Sequence, residues 1–423
     1  MTARSKRRAV VVGASVAGVS AVEALRDGGF EGDVILVGAE AHMPYDRPPL
    51  SKQLLAGAWD TEQVMLRPAV RYSELDVELR LGVSATSLDV SARAINLDNG
   101  EALRYDRLLI ATGANPRLPG FVRPLEGVHL LRTLGEALGL RSALLRRPRV
   151  VVIGAGFIGS EVAATARGMG CEVTVLEALA SPMAQALGAA VGEKLGRLHS
   201  EHGVVVVCNA TVAGLVGDGV VEAVQLEDGS RVPADVVIVG TGVSPATAWL
   251  EGAGLAVSDG VECDQFCRAA PHVYAAGDVA RWAQSTGKSV RVEHWTNAVE
   301  QGRHAAHNLI ASLHGLTQRP YAPTPYFWSD QHGRKIHFVG WSSSEAEILA
   351  LDETRIVVLY ARDERLCGAL TLDAPRALAM LRPLVAREAP LADARATVAA
   401  AGPARRPIPM ENGVSPQPHR LVG

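Results

Sequence analysis

Gly154-Ala155-Gly156-Phe157-Ile158-Gly159 sets three glycines at G-x-G-x-x-G spacing, directly after the apolar run Arg149–Ile153 and before a helical stretch, Ser160 to Arg167. A dinucleotide gives each glycine a task. Gly154 allows the tight turn, Gly156 lets backbone approach a pyrophosphate, Gly159 lets helix and strand pack closely, and the helix N-terminus adds partial positive charge. Glu177 lies 23 residues beyond Gly154, just past the run Glu172–Leu176, where it can accept two hydrogen bonds from a ribose diol and repel a 2′-phosphate. No Lys, Arg or His occurs from Glu177 through Gly192, so NADH is expected rather than NADPH. A glycine turn that binds nothing is the bland alternative, and the full strand, turn, helix and acid series weighs against it.

The same unit occurs 141 residues earlier by its first glycine: the strand Ala9–Val12, the turn Gly13-Ala14-Ser15-Val16-Ala17-Gly18, a helix from Val19 to Arg26, a second strand Asp33–Val37 and the acid Glu40. Ser15 replaces the second glycine. Two dinucleotide sites in one chain imply a division of labour, a bound FAD in the first and a visiting NADH in the second. Val273–Val279 reads as a strand, a turn at Gly277 and an acid, Asp278, entering another helix-like region; Asp278 could bond the ribityl chain or serve as an N-cap. Leu108–Ile110 followed by Ala111-Thr112-Gly113, and Val236–Val239 running to Gly242, read as the strand and glycine turn that close each unit.

These parts need a large scaffold. At ~150 residues per domain, 423 residues give about 2.8 domains. With 48% hydrophobic and 21% charged residues and a formal charge of 42 − 45 = −3, disorder, collagen and coiled coil are excluded as overall classes. No apolar run reaches the ~18 residues a membrane helix needs. Lys6, Arg7 and Arg8 before Ala9–Val12 imitate a signal peptide, but that run leads straight into the first glycine turn, so a cytoplasmic protein is expected. Five scattered cysteines without a CxxC pair argue against a disulfide scaffold or zinc site, Cys263 and Cys267 read as inert thiols on the strand leading to Gly277, and the twelve histidines show no metal-ligand spacing. The expected architecture is α/β, with two Rossmann-like units: an FAD domain of residues 1–115 and 243–322, an NAD domain of 116–242, a C-terminal α+β interface domain of 323–401, and a disordered tail, 402–423.

The chain resembles the FAD-dependent ferredoxin/rubredoxin/putidaredoxin reductase family, among the two-dinucleotide-domain flavoprotein reductases of glutathione-reductase type. The most specific stretch is Tyr45-Asp46-Arg47-Pro48-Pro49-Leu50-Ser51-Lys52, where related disulfide reductases carry a redox cysteine pair; no cysteine lies between Met1 and Gly170. Leu131-Arg132-Thr133, Ala275–Asp278, Val292–Ala298 and Pro325–Gln331 match as well. The resemblance implies that Ala14, Glu40, Arg47, Lys52, Val83, Arg132, Asp278 and Trp295 contact FAD and that Gly156, Ile158, Glu177 and Gly242 contact NAD. Gly13, Ser15, Ala17, Gly18, Phe157, Glu293 and His294 complete the expected cofactor surface, and Trp295 and Trp328 are expected to flank the isoalloxazine.

It also implies a pair of Lys52 with Glu161 between flavin and nicotinamide. Read from the residues, Glu161 falls on the first turn of the NAD-site helix, and Lys52 near the flavin N5/O4 edge would favour the negative charge of reduction. A surface lysine and a solvated helix acid are the bland readings. The expected activity is hydride transfer from NADH to FAD, then single electrons to a [2Fe–2S] ferredoxin serving a cytochrome P450 or dioxygenase, by a monomer or weak dimer with no nucleic-acid or membrane partner. Residues 301–423 carry 14 basic against 11 acidic side chains and residues 1–300 carry 28 against 34, the sign an acidic ferredoxin would favour. Rubredoxin, a quinone, monodehydroascorbate or oxygen as acceptor, or an NADH-sensing protein like apoptosis-inducing factor, are the rivals.

Overall fold

The computed structural model describes residues 7–284, 287–352 and 354–401; the expected tail, 402–423, lies outside them. Continuous Val/Ile/Leu runs, buried on both faces, form parallel strands here because helices cover both sides of the sheet. The first sheet has six strands in the order Arg268–Ala270, Val273–Ala275, Arg107–Ile110, Arg8–Val12, Asp33–Gly38, Val77–Leu81. All but the Arg268–Ala270 edge run parallel. Helix Val16–Asp27 packs against helix Trp295–Leu313, and Gly302 permits the contact: a Cβ there would stand 2.3 Å from the Ala17 carbonyl oxygen.

The second sheet repeats the plan with Val205–Val207, Glu172–Leu176, Arg149–Ile153, Val236–Val239 and Val128–His129, all parallel. Where the chain passes between the two units, Ala114–Pro116 and Val243–Pro245 pair antiparallel. The third unit is a five-stranded antiparallel sheet, Tyr326–Gln331, Arg334–Gly340, Arg365–Leu372, Ile356–Arg362, Glu345–Ala350, followed by helices Pro375–Ala386 and Leu391–Ala401. One face of this sheet packs on its own two helices. The other, through Ile336, Phe338, Val358, Tyr360 and Leu370, packs on Met183, Leu187, Val191 and Leu195 of the second unit. That second interface carries strand Tyr326–Gln331 to the site.

Three local expectations are corrected. Both turn-following helices start earlier than expected, at Val16 and Phe157 rather than Val19 and Ser160, because Ser15 and Gly156 are already the N-cap residues. Their carbonyls accept the first helical bonds, from the Val19 and Ser160 amides at 2.9 Å each. Asp278 enters no helix; it sits in the single 3-10 turn Gly277–Val279, and the strand Ala280–Ala283 follows. Cys263 ends strand Gly260–Cys263, whereas Cys267 lies in the next turn. Burial raises both thiols, Cys267 to about 12, which keeps them protonated and inert. Among the described residues no helix is long and apolar enough to cross a membrane, and no group of three or more candidate ligands could hold a metal.

Candidate functional site

A cleft of about 560 Å³ opens at the carboxyl ends of the first sheet's strands, the place where open α/β sheets accept ligands. Its walls bring together most of the expected cofactor surface: Gly13, Ala14, Ser15 and Ala17; Glu40, Arg47 and Lys52; Val83; Ala111, Thr112 and Gly113; Arg132; Gly277 and Asp278; Glu293, His294, Trp295 and Trp328. The second unit adds Phe157, Ile158 and Glu161. Gly18 is buried below the first turn; Gly154, Gly156 and Gly159 form the second turn with Glu177 beside it, and Gly242 follows strand Val236–Val239, all five outside this cleft's lining.

Four glycines are fixed by backbone. A Cβ on Gly13 would fall 2.1 Å from the Ala111 carbonyl oxygen and one on Gly154 2.4 Å from that of Gly240, with φ at +117° and +99°. On Gly18 and Gly159 it would lie 1.9 and 2.1 Å from the carbonyl oxygens of Gly13 and Gly154. The middle position differs. Ser15 (φ −114°) and Gly156 (φ −71°) are both extended, and a Cβ on Gly156 meets nothing within 4 Å. The fold therefore tolerates a side chain at this position, and Ser15 leaves the first turn's geometry unchanged.

The acids after each second strand are held differently. Glu40 accepts from the Tyr45 hydroxyl at 2.5 Å and pairs with Arg47 at 3.0 Å; Arg47 also donates to the Arg132 carbonyl, and Arg132 pairs with Asp278 at 3.3 Å. One network thus spans the cleft from the acid after the second strand to the Asp278 turn. Glu177 accepts instead from the amides of Ala155 at 2.8 Å and Leu179 at 2.9 Å, which aims its carboxylate at the second glycine turn.

Lys52 and Glu161 meet, at 2.7 Å, with only 10% and 7% of their side chains exposed, so the readings of a surface lysine and a solvated acid are overturned. Glu161 is the fifth residue of helix Phe157–Gly168, not part of its first turn, and its charge is satisfied by side chains rather than the helix end. Ser51 Oγ donates to Oε2 at 2.5 Å, Ser329 Oγ to Oε1 at 2.8 Å, and the Asp330 amide reaches Oε1 at 3.4 Å. A carboxylate with a cation and several donors can remain charged while buried.

An aromatic wall closes this end. Trp295 and Trp328 stand edge to face at 5.8 Å, and the Trp295 Nε1–H donates to Asp46 Oδ1 at 2.6 Å. Burial raises the Asp46 carboxyl above its ordinary value. Phe157 and Phe327 meet at 4.5 Å, and His294 packs on Phe327 at 4.8 Å. Burial pushes His294 down to about 4, so the ring is neutral, and its Nδ1 has no hydrogen-bond partner among the described residues. The cleft offers what FAD requires: a glycine turn at a helix N-terminus, a carboxylate beyond the second strand, an Arg–Asp pair at a further turn, and a ring-walled end. The second turn offers NADH the helix N-terminus, the open position at Gly156 and Glu177.

Residue-by-residue reading missed Ser51, Ser329, Asp46 and Tyr45 as functional parts, although each stands inside a stretch singled out for its resemblance. A signal was present: Ser329 and Gln331 are polar residues two apart on a strand face whose remaining residue, Phe327, is apolar.

Residues 7–302 match the family described as pyridine nucleotide-disulphide oxidoreductase, and residues 326–401 match a reductase C-terminal family. Rhodocoxin reductase from Rhodococcus erythropolis is 37% identical, over 90% of this chain and 90% of its own length. The ferredoxin–NAD(+) reductase component of the p-cumate 2,3-dioxygenase system from Pseudomonas putida is 35% identical, covering 88% of this chain and 92% of its own. Among solved structures, the covalent putidaredoxin reductase–putidaredoxin complex contains a chain that superimposes with TM-score 0.87 at 33% identity, covering 94% of this chain and 99% of that one.

Proposed function

The chain belongs to the pyridine nucleotide-disulphide oxidoreductase family, and on that premise we propose that it is an NADH-dependent flavoprotein reductase that passes electrons through FAD to a [2Fe–2S] ferredoxin serving a cytochrome P450 or a dioxygenase. The observation that carries this reading is the buried Lys52–Glu161 pair in a cleft walled by both dinucleotide units, where the Tyr45–Lys52 stretch holds no cysteine. Disulfide chemistry at that position is thereby excluded. The relatives named for ferredoxin and putidaredoxin systems support the acceptor class.

FAD, when bound, supplies a carrier that accepts a hydride and returns electrons singly. The chain's own groups position and polarise. Gly13, Ser15 and the helix start at Val16 would hold the pyrophosphate, Glu40 the adenosine ribose, and Arg132 with Asp278 the middle of the cofactor. Glu177, fixed by two amides, would accept the adenosine ribose diol of NADH and exclude a 2′-phosphate. Lys52 puts a fixed cation on the cleft wall where electron density increases on reduction, and Glu161 holds that ammonium in place. The two tryptophans and Phe327 exclude water from the same end. Cytoplasmic residence belongs to this reading, consistent with five free cysteines.

The test is NADH-driven cytochrome c reduction with and without added [2Fe–2S] ferredoxin. Stimulation by ferredoxin is expected; its absence with every ferredoxin tried would overturn the acceptor. A colourless purified protein without flavin bands would overturn the first-cleft assignment.

A further inference from the structure

We propose that His199, Gln331 and Ser329 form a one-way hydrogen-bond relay that positions Glu161, so that a histidine cluster on the far side of the C-terminal interface sets the Lys52 ammonium. This rests on the reading of Lys52 and Glu161 as the reducing-end pair. The relay runs through groups that are almost fully enclosed: relative exposure is 5% at Glu161, 0% at Ser329 and Gln331, and 2% at His199.

Its direction follows step by step from the carboxylate. Beside Lys52 and Ser51, an ionised Glu161 only accepts, so the one Ser329 hydroxyl proton goes to Oε1. Ser329 Oγ must then accept at its other contact, from Gln331 Nε2 at 3.2 Å, which turns the amide oxygen toward His199. That oxygen, 3.0 Å from His199 Nε2, requires the proton on Nε2 and leaves Nδ1 an acceptor. Nδ1 takes the Nε2–H of His332 at 3.0 Å. Every donor along the chain points inward, an arrangement in which successive bonds polarise one another.

The outer end is also built. His332 and Gly333 form the two-residue hairpin turn before Arg334, with φ of +51° and +74°. Asn or Asp normally precedes Gly in such a turn, and a histidine there is unusual. Its ring stacks on His202 at 4.3 Å, and His202 Nδ1 bonds the Leu198 carbonyl at 2.8 Å. Burial pushes His199 down to about 4; burial with repulsion from His199 and His202 does the same to His332. His199 and His332 are thus neutral near pH 7. The charged neighbours are Lys52 and Asp330, the latter engaged by Lys335 at 2.8 Å.

Two measurements test this. Ring ¹⁵N shifts of His199, in the apoprotein and with FAD loaded, should report the Nε2–H tautomer; an Nδ1–H tautomer overturns the relay without any mutation. In stopped-flow experiments, Ser329→Ala, Gln331→Leu and His199→Leu should each slow flavin reduction by NADH about tenfold, the worth of one hydrogen bond to a charged group, while Kd for NADH stays within about twofold. His199→Gln, which retains a donor toward Gln331, should recover most of that rate. Variants reduced at the parent rate, or a loss seen only in melting temperature or NADH binding and not rescued by His199→Gln, would reduce these contacts to packing and overturn the proposal. A parent protein that NADH fails to reduce would overturn the proposed function, while the tautomer measurement would still decide the relay.

Discussion

The two glycine turns share a plan and differ in surroundings. Around the first, Glu40, Arg47, Arg132 and Asp278 form one network across an aromatic-walled cleft; at the second, Glu177 is fixed only by backbone amides, and Ile158 on the following helix is 45% exposed. The contrast suits an occupant that stays and one that visits. The shared glycine spacing therefore fixes the backbone, whereas residence time is set by what the rest of the chain places around it.

The comparison breaks most readily at its shared part. Gly18→Ala and Gly159→Ala each press a Cβ within about 2 Å of a backbone oxygen, so each should cost several kcal/mol, at the severe end for a point mutation. Denaturant titration checks this, and a loss below ~1 kcal/mol at either site would sink the claim that the two turns are equally constrained. Next comes the element that joins the halves. Lys52→Met leaves a buried carboxylate without its cation and should cost ~3 kcal/mol of stability, with a matching drop in flavin reduction by NADH. Lys52→Arg should retain the charge and part of the rate.

Acid acts on all three units at once. His199, His294 and His332 are held down to about 4 from an ordinary 6.5, so between these values the unfolded chain binds more protons than the folded one. Stability should accordingly rise with pH through that window and be lost as pH falls from about 6.5 toward 4. The urea midpoint against pH measures it, and His199→Gln should flatten the slope by one histidine's share. Of smaller size, Glu177→Ser should narrow the preference for NADH over NADPH about tenfold by removing a charge that repels the 2′-phosphate, read as the ratio of kcat/KM values. Smallest is the exchange of middle positions: Gly156→Ser should change stability by under ~0.5 kcal/mol and weaken NADH binding, because the space it fills is outside the fold.

Much of this was legible beforehand for a physical reason. Strand, turn, helix and acid follow one another within about 30 residues of sequence, so local pattern alone exposes both dinucleotide units with Glu40 and Glu177, whereas the pairing of Lys52 with Glu161 is implied by the family resemblance. The misses have a common cause. Ser51 and Ser329 lie 110 and 168 residues from Glu161, and only the packing of the first and third units on the second brings them within hydrogen-bond distance. For Asp278 the local pattern misleads, because a glycine and an acid after a strand mark a helix start and a lone 3-10 turn equally well. The sequence puts Glu161 one turn too early because the N-cap role of Gly156 is a backbone property that its sequence neighbours do not reveal.

The grip on Glu161 by Ser51 from the first unit and Ser329 from the third also bears on grafting. An engineer wishing to change the electron acceptor would be tempted to transplant residues 326–401 whole from another reductase. That cassette carries half of the carboxylate's donors, so a graft that repacks well can still arrive as a poor catalyst. Exchanged modules here must be matched at Ser329 and Gln331 before they are matched at their surfaces.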